Sequence, residues 1–188
     1  MFSSLASSQS RVERLIAAGR VVLAVCSLLA IWLAPPEPSW HAHTVFLLLA
    51  GYLLFAVVVL LLVGRPHPVL ARLPAVTHAV DMLLFSSLLY FTGASTSPFF
   101  VYFVFSLVCA TVRWQWRGTL WTAAAALLAL VGLSVYGAHG GSLPALELGR
   151  LILHGVPLVL VAGLLGYLAA YENERRLRSE VSRLAMWP

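Results

Sequence analysis

A chain of 188 residues that is 61% hydrophobic and only 10% charged cannot cover a water-soluble globule with polar side chains, because soluble domains carry about 25% charged residues. The net charge of +5 rests on twelve arginines and no lysine. These arginines flank apolar runs rather than forming one patch, which excludes a nucleic-acid partner. The apolar runs are long and unbroken, which excludes a transmembrane β-barrel with alternating strands and leaves an all-α polytopic membrane protein.

The first nine residues are Ser-rich and lack the basic start and cleavage site of a signal peptide, so a flexible tail is expected over 1–9. Ser10-Arg11-Val12-Glu13 reads as a capping box, with Ser10 accepting from a backbone N–H and Glu13 reaching back. A helix is therefore expected from Ser10, with a first span at about 15–34 stopped by Pro35 and Pro36. Further spans are expected at 44–63, 74–91, 98–112, 118–136 and 149–171, separated by Gly- and Pro-containing breaks. The last continues as a charged cytoplasmic helix over 172–188.

Six spans give short loops whose arginines set orientation. Arg11, Arg14 and Arg20 sit at the N-terminal end of span one, Arg65 and Arg72 follow span two, Arg113 and Arg117 follow span four, and Arg175, Arg176, Arg178 and Arg183 follow span six. Only Arg150 breaks the pattern. Both termini are thus expected on the cytoplasmic side, in the lipid bilayer of a plasma membrane. Trp32 and Trp40 mark the outer interface and Trp114, Trp116 and Trp121 the inner one.

Several constellations point to chemistry. Asp81 lies inside a span with His78 three residues before it, so the two share a helix face. An ionisable group there costs about 2.5–3.5 kcal/mol on insertion scales and must find a partner or water. Arg150 and His154 are four apart near the outer end of span six, followed by Pro157. They are read as a ligand-binding pair or as a snorkelling arginine. The loop from Thr92 through Gly93 to Ser97, Pro98, Phe99 and Phe100 combines a tight exit, a Ser-Pro helix start and an aromatic anchor. Leu177, Val181 and Leu184 follow the 4-3 spacing of a coiled-coil seam, with Glu172/Arg176 and Glu174/Arg178 as i,i+4 pairs. His41, His43 and His139 lack cysteine or carboxylate at fixed spacing, so no metal site is expected. Cys26 and Cys109 fall in apolar runs and read as small buried hydrophobes.

The stretch from Asp81 to Phe100, with its Leu-Leu-Tyr-Phe-Thr-Gly end and its Ser-Pro-Phe-Phe close, resembles the membrane sensor region of bacterial histidine kinases of the RegB/PrrB redox-sensing type. Ala94 and Ser97 stand where that family has Gly and Asn. The resemblance implies a homodimeric six-span sensor in the bacterial inner membrane. It also implies a quinone as ligand near the loop of Gly93, Ser97, Pro98, Phe99 and Phe100, and Arg150 and His154 are the further ligand candidates from their own spacing. A cytoplasmic kinase would follow and phosphorylate a response regulator. These 188 residues hold no nucleotide-binding or catalytic motif, so the chain is expected to be the membrane part of a longer receptor. The rival expectation is a membrane-anchor or quinone- or haem-binding subunit of a redox complex, or a small transporter. Few polar residues face a path, and the coiled-coil tail has no role in either.

Overall fold

The computed structural model describes residues 2–33, 42–63, 73–92, 98–139 and 144–185. Among them every regular element is helical: α1 Phe2–Leu33, α2 Ala42–Leu62, α3 Leu73–Phe91, a short 3₁₀ turn Pro98–Phe100, α4 Val101–His139 and α5 Pro144–Ala185. Among the described residues, five helical segments are long and apolar enough to cross a membrane: Arg11–Leu33, His43–Leu62, Leu73–Phe91, Val101–Tyr136 and Leu151–Ser179. The chain divides into two compact units, Met1–Ser97 and Pro98–Pro188.

The first unit is α1, α2 and α3. Buried positions recur every three or four residues: Ile16, Ala17, Arg20 and Ala24 on α1, Val45, Leu49, Tyr52, Ala56 and Val59 on α2, and Thr77, Asp81, Phe85 and Leu88 on α3. That spacing draws one stripe along each helix. Alanines in the stripes let the backbones approach closely, as membrane helices require. The outward faces are also apolar, with Leu15, Trp32, Leu47, Leu54, Leu61 and Leu83 all exposed. Helices apolar all round, with their polar groups turned inward, suit hydrocarbon and not water as solvent.

α1 begins eight residues before the expected start at Ser10 and takes in the stretch expected to be a flexible tail. Residues 2–10 contain neither Gly nor Pro, so nothing in the sequence stops the helix from extending past the capping box.

The second unit is the turn Pro98–Phe100 with α4 and α5. α4 has 39 residues but is not one rod, because Gln115 sits at φ 56°, ψ −153°. The Thr111 and Thr119 hydroxyls lie 2.7 Å apart, whereas eight residues of straight helix span about 12 Å. The chain folds back at Gln115. Its two arms, 101–114 and 116–139, form a helical hairpin lined by Tyr102, Phe103, Leu107, Ala110, Ala123, Ala126 and Leu130. α5 packs on this hairpin through Gly155, where an added Cβ would stand 3.8 Å from Leu127. α5 as a whole runs for 42 residues from Pro144 to Ala185, with Pro157 inside it.

Candidate functional site

The most polar point of the first unit is its centre. Arg20 of α1 and Asp81 of α3 have side chains fully removed from the surface, and their charged ends meet at 2.6 Å. The contact is two-pronged. Arg20 Nε donates to Asp81 Oδ1 at 3.1 Å and Oδ2 at 2.9 Å, and Nη2 donates to Oδ2 at 2.6 Å. Tyr52 of α2 donates its hydroxyl to Oδ1 at 3.0 Å. Arg20 Nη2 also reaches Thr77 Oγ1 at 3.2 Å, and that hydroxyl in turn donates to the Pro74 carbonyl at 3.1 Å. One carboxylate thus ties together all three helices of the unit.

Position along the helices explains why these residues meet. Arg20 lies two residues before the middle of the apolar segment Arg11–Leu33, Tyr52 at the middle of His43–Leu62, and Asp81 one residue before the middle of Leu73–Phe91. At about 1.5 Å per residue these offsets amount to no more than about 3 Å. A lone Arg or Asp at the centre of a spanning helix is costly. The fork of guanidinium on carboxylate pairs the two charges, with a tyrosine on the remaining lone pair of the carboxylate. Tyr52 is held from the side by Phe85, ring edge to ring face at 5.5 Å.

The sequence drew attention to Asp81 and His78, and placed Arg20 among the arginines flanking span one. The structure gives Asp81 partners on two other helices, Arg20 and Tyr52, and leaves His78 half-buried one position from Thr77. Arg20 is a buried ion-pair partner and drops out of the flanking charges that set orientation.

In the second unit the sequence-selected residues are partly assembled. Phe100 at the start of the hairpin packs against His154 of α5, ring centroids 4.9 Å apart and steeply tilted. Phe99 is buried against Tyr102 at 5.8 Å. Pro98 opens the 3₁₀ turn. Gly93 and Ser97 lie outside the described residues, as does His41, and the side chains of Arg150 and His139 are not among those described. His43 is exposed. Among the described residues there is no group of three or more His, Cys, Asp or Glu placed to hold a metal ion. Cys109 is buried, and Cys26 is exposed on α1 where a buried position was expected. An exposed position on a lipid-facing helix is still an apolar one, so its place in an apolar run does not distinguish the two.

On the charged part of α5, Glu174 and Arg178 form an i,i+4 ion pair at 2.5 Å. Both side chains are largely exposed, so the pair supports the helix by only about 0.3–0.5 kcal/mol. Leu177 is exposed, while Val181 and Leu184 lie in the helix with side chains outside the description.

No curated protein and no solved structure matches the chain. The family model described as the PilS-like transmembrane domain matches residues 3–181. PilS is a sensor histidine kinase. With nearly the whole chain covered, both compact units included, the protein belongs to the PilS-like transmembrane domain family, the membrane sensor domain of a histidine-kinase type.

Proposed function

We propose that this chain is the sensory and signal-transmitting membrane domain of a bacterial sensor histidine kinase, working as a homodimer in the inner membrane. α4 crosses the bilayer twice. Its 39 residues would make a rod of about 58 Å, nearly twice the hydrocarbon thickness of about 30 Å, and the fold-back at Gln115 divides it into two crossings. Six spans put both ends of the chain on the cytoplasmic side, where the arginines of 175–183 lie. A kinase follows α5 and passes phosphate to a response regulator. The resemblance over Asp81 to Phe100 makes a quinone the first ligand to test, near the corner of Phe100, His154 and Arg150. The redox type and the ligand rest on that resemblance alone.

The observation that carries the reading is the continuity of α5 from the Phe100–His154 contact to Ala185, with no proline below Pro157. A rigid helix transmits a shift or rotation, whereas a loop absorbs it. A ligand drives such a change only through different affinities for two arrangements.

The test is a chimera of residues 1–188 ahead of a histidine-kinase core, with residues inserted after Tyr171. One inserted residue rotates everything beyond it by about 100°, and seven restore the seam. Kinase output is expected to fall with one or two insertions and recover at seven. Output independent of insert length would remove the reading.

A further inference from the structure

We infer that the fold-back at Arg113–Arg117 is a binding site for the phosphate headgroup of an anionic phospholipid, in the leaflet that the turn faces. The inference rests on α4 crossing the bilayer twice.

The turn reads Arg113-Trp114-Gln115-Trp116-Arg117, symmetric about its centre. Each arginine sits over its neighbouring indole, Arg113 at 5.8 Å from the Trp114 ring and Arg117 at 5.4 Å from that of Trp116. A guanidinium beside an indole carries five N–H donors in a planar fork that matches a phosphate in two-pronged fashion, which an ammonium cannot reproduce. Trp114 and Trp116 are partly exposed, and Trp121, one helical turn further on, is strongly exposed. These indoles suit the boundary between headgroups and chains. From position 82 to position 146 the sequence contains no acidic residue, and its only cations other than histidine are these two arginines. The whole hairpin therefore offers its charge at one point and supplies no carboxylate to neutralise it. A phosphodiester is the complement.

The turn is built and not slack. Gln115 holds φ 56°, ψ −153°, a region otherwise left to glycine. It is kept there from both sides. The Thr111 and Thr119 hydroxyls meet across the fold at 2.7 Å. Gly118 is so close to Trp114 and the Ala110 carbonyl that a Cβ would stand 2.5 Å and 2.9 Å from them. A fixed turn presents both arginines without the ordering cost of a flexible loop.

The experiment uses the full 188-residue chain with Trp32, Trp40 and Trp187 changed to Phe, so that fluorescence reports only Trp114, Trp116 and Trp121. The protein is placed in phosphatidylcholine nanodiscs containing a minor fraction of lipid brominated high on the acyl chain, either phosphatidylglycerol or phosphatidylcholine. Quenching is expected to favour the anionic quencher by on the order of tenfold and to persist in millimolar inorganic phosphate. R113Q/R117Q is expected to bring the two quenchers to parity. R113K/R117K, which keeps the charge and the fold, is expected to lose more than half of the preference. Equal quenching in the wild-type chain overturns the lipid site while leaving the turn at the surface. Quenching by neither lipid overturns the site together with the double crossing of α4. A lysine pair as selective as the arginine pair overturns a built site, as does displacement by inorganic phosphate.

Discussion

Arg20 and Asp81, 61 positions apart in the sequence, grip each other at mid-depth of the first helical unit with Tyr52 donating to the same carboxylate. The pair joins the first and third helices at the depth where water is least able to replace either partner, so its integrity bears on stability.

Removing one partner leaves the other buried and uncompensated. Arg20→Met or Asp81→Leu alone is expected to destabilise the protein by about 3–5 kcal/mol, read as a lower midpoint of SDS-induced unfolding in detergent. The double variant Arg20→Met/Asp81→Leu is expected near the wild-type value, since apolar replacements of a buried pair are about neutral. A double variant as unstable as the sum of the singles would show that the two residues act independently.

Tyr52→Phe removes one hydrogen bond and keeps the ring against Phe85. The expected loss is about 1–2 kcal/mol, smaller than for either ion-pair variant. In an Asp81→Leu background the same change is expected to cost nearly nothing. A full-sized loss there would place the role of Tyr52 in packing.

Two substitutions three residues apart in the fold-back are expected to act in opposite directions. Gln115→Gly removes a side chain from a backbone conformation with φ 56° and is expected to stabilise by about 1–2 kcal/mol. Gly118→Ala drives a methyl toward Trp114 Cβ at 2.5 Å and the Ala110 carbonyl at 2.9 Å, and is expected to cost about 1–3 kcal/mol. Thermal melts of the purified protein in one detergent compare them directly.

The seam of Leu177, Val181 and Leu184 continues upward in the same heptad phase through the charged Glu174 and then Ala170, Tyr167, Gly163, Leu160, Val156 and Leu153. The side chains of Leu153, Val156, Leu160, Tyr167 and Leu177 are about half exposed or more. If two copies meet along α5, single cysteines at Leu153, Leu160, Tyr167 and Leu177, in a chain lacking Cys26 and Cys109, are expected to cross-link between copies in the membrane. Leu158 and Ala162, buried in their own protomer, are expected to stay monomeric. Cross-linking without regard to heptad position would argue against the seam.

Hydropathy made the apolar segments legible, because lipid demands about twenty apolar residues and Pro35, Gly64 and Pro66 end them sharply. Asp81 stood out for the same reason, as a charge inside such a run. Its arginine partner did not. Arg20 follows Arg11 and Arg14 closely enough to read as the last of a flanking group, and a contact across 61 positions leaves no local spacing. The usable signal was depth: Arg20, Tyr52 and Asp81 each fall at the centre of their apolar segment. The break between the fourth and fifth spans was expected from Arg113 to Arg117, but the strain at Gln115 was not. No residue type announces a left-handed glutamine; only the contact of Gly118 with Trp114 shows why the chain must turn there. The ring contact of Phe100 with His154 lay equally out of reach, since it depends on how α5 docks on the hairpin.

Proline 157 has no N–H, so the carbonyl of Leu153 one turn above it goes without its usual donor. Below that point, 158–185 continues as α-helix over about 42 Å. Bending of α5 is therefore favoured near the end that touches Phe100, and the remainder is a long helical shaft with no further proline. A small tilt at His154 would then sweep the far tip of the shaft through a much larger arc, giving the protein mechanical gain from one missing hydrogen atom.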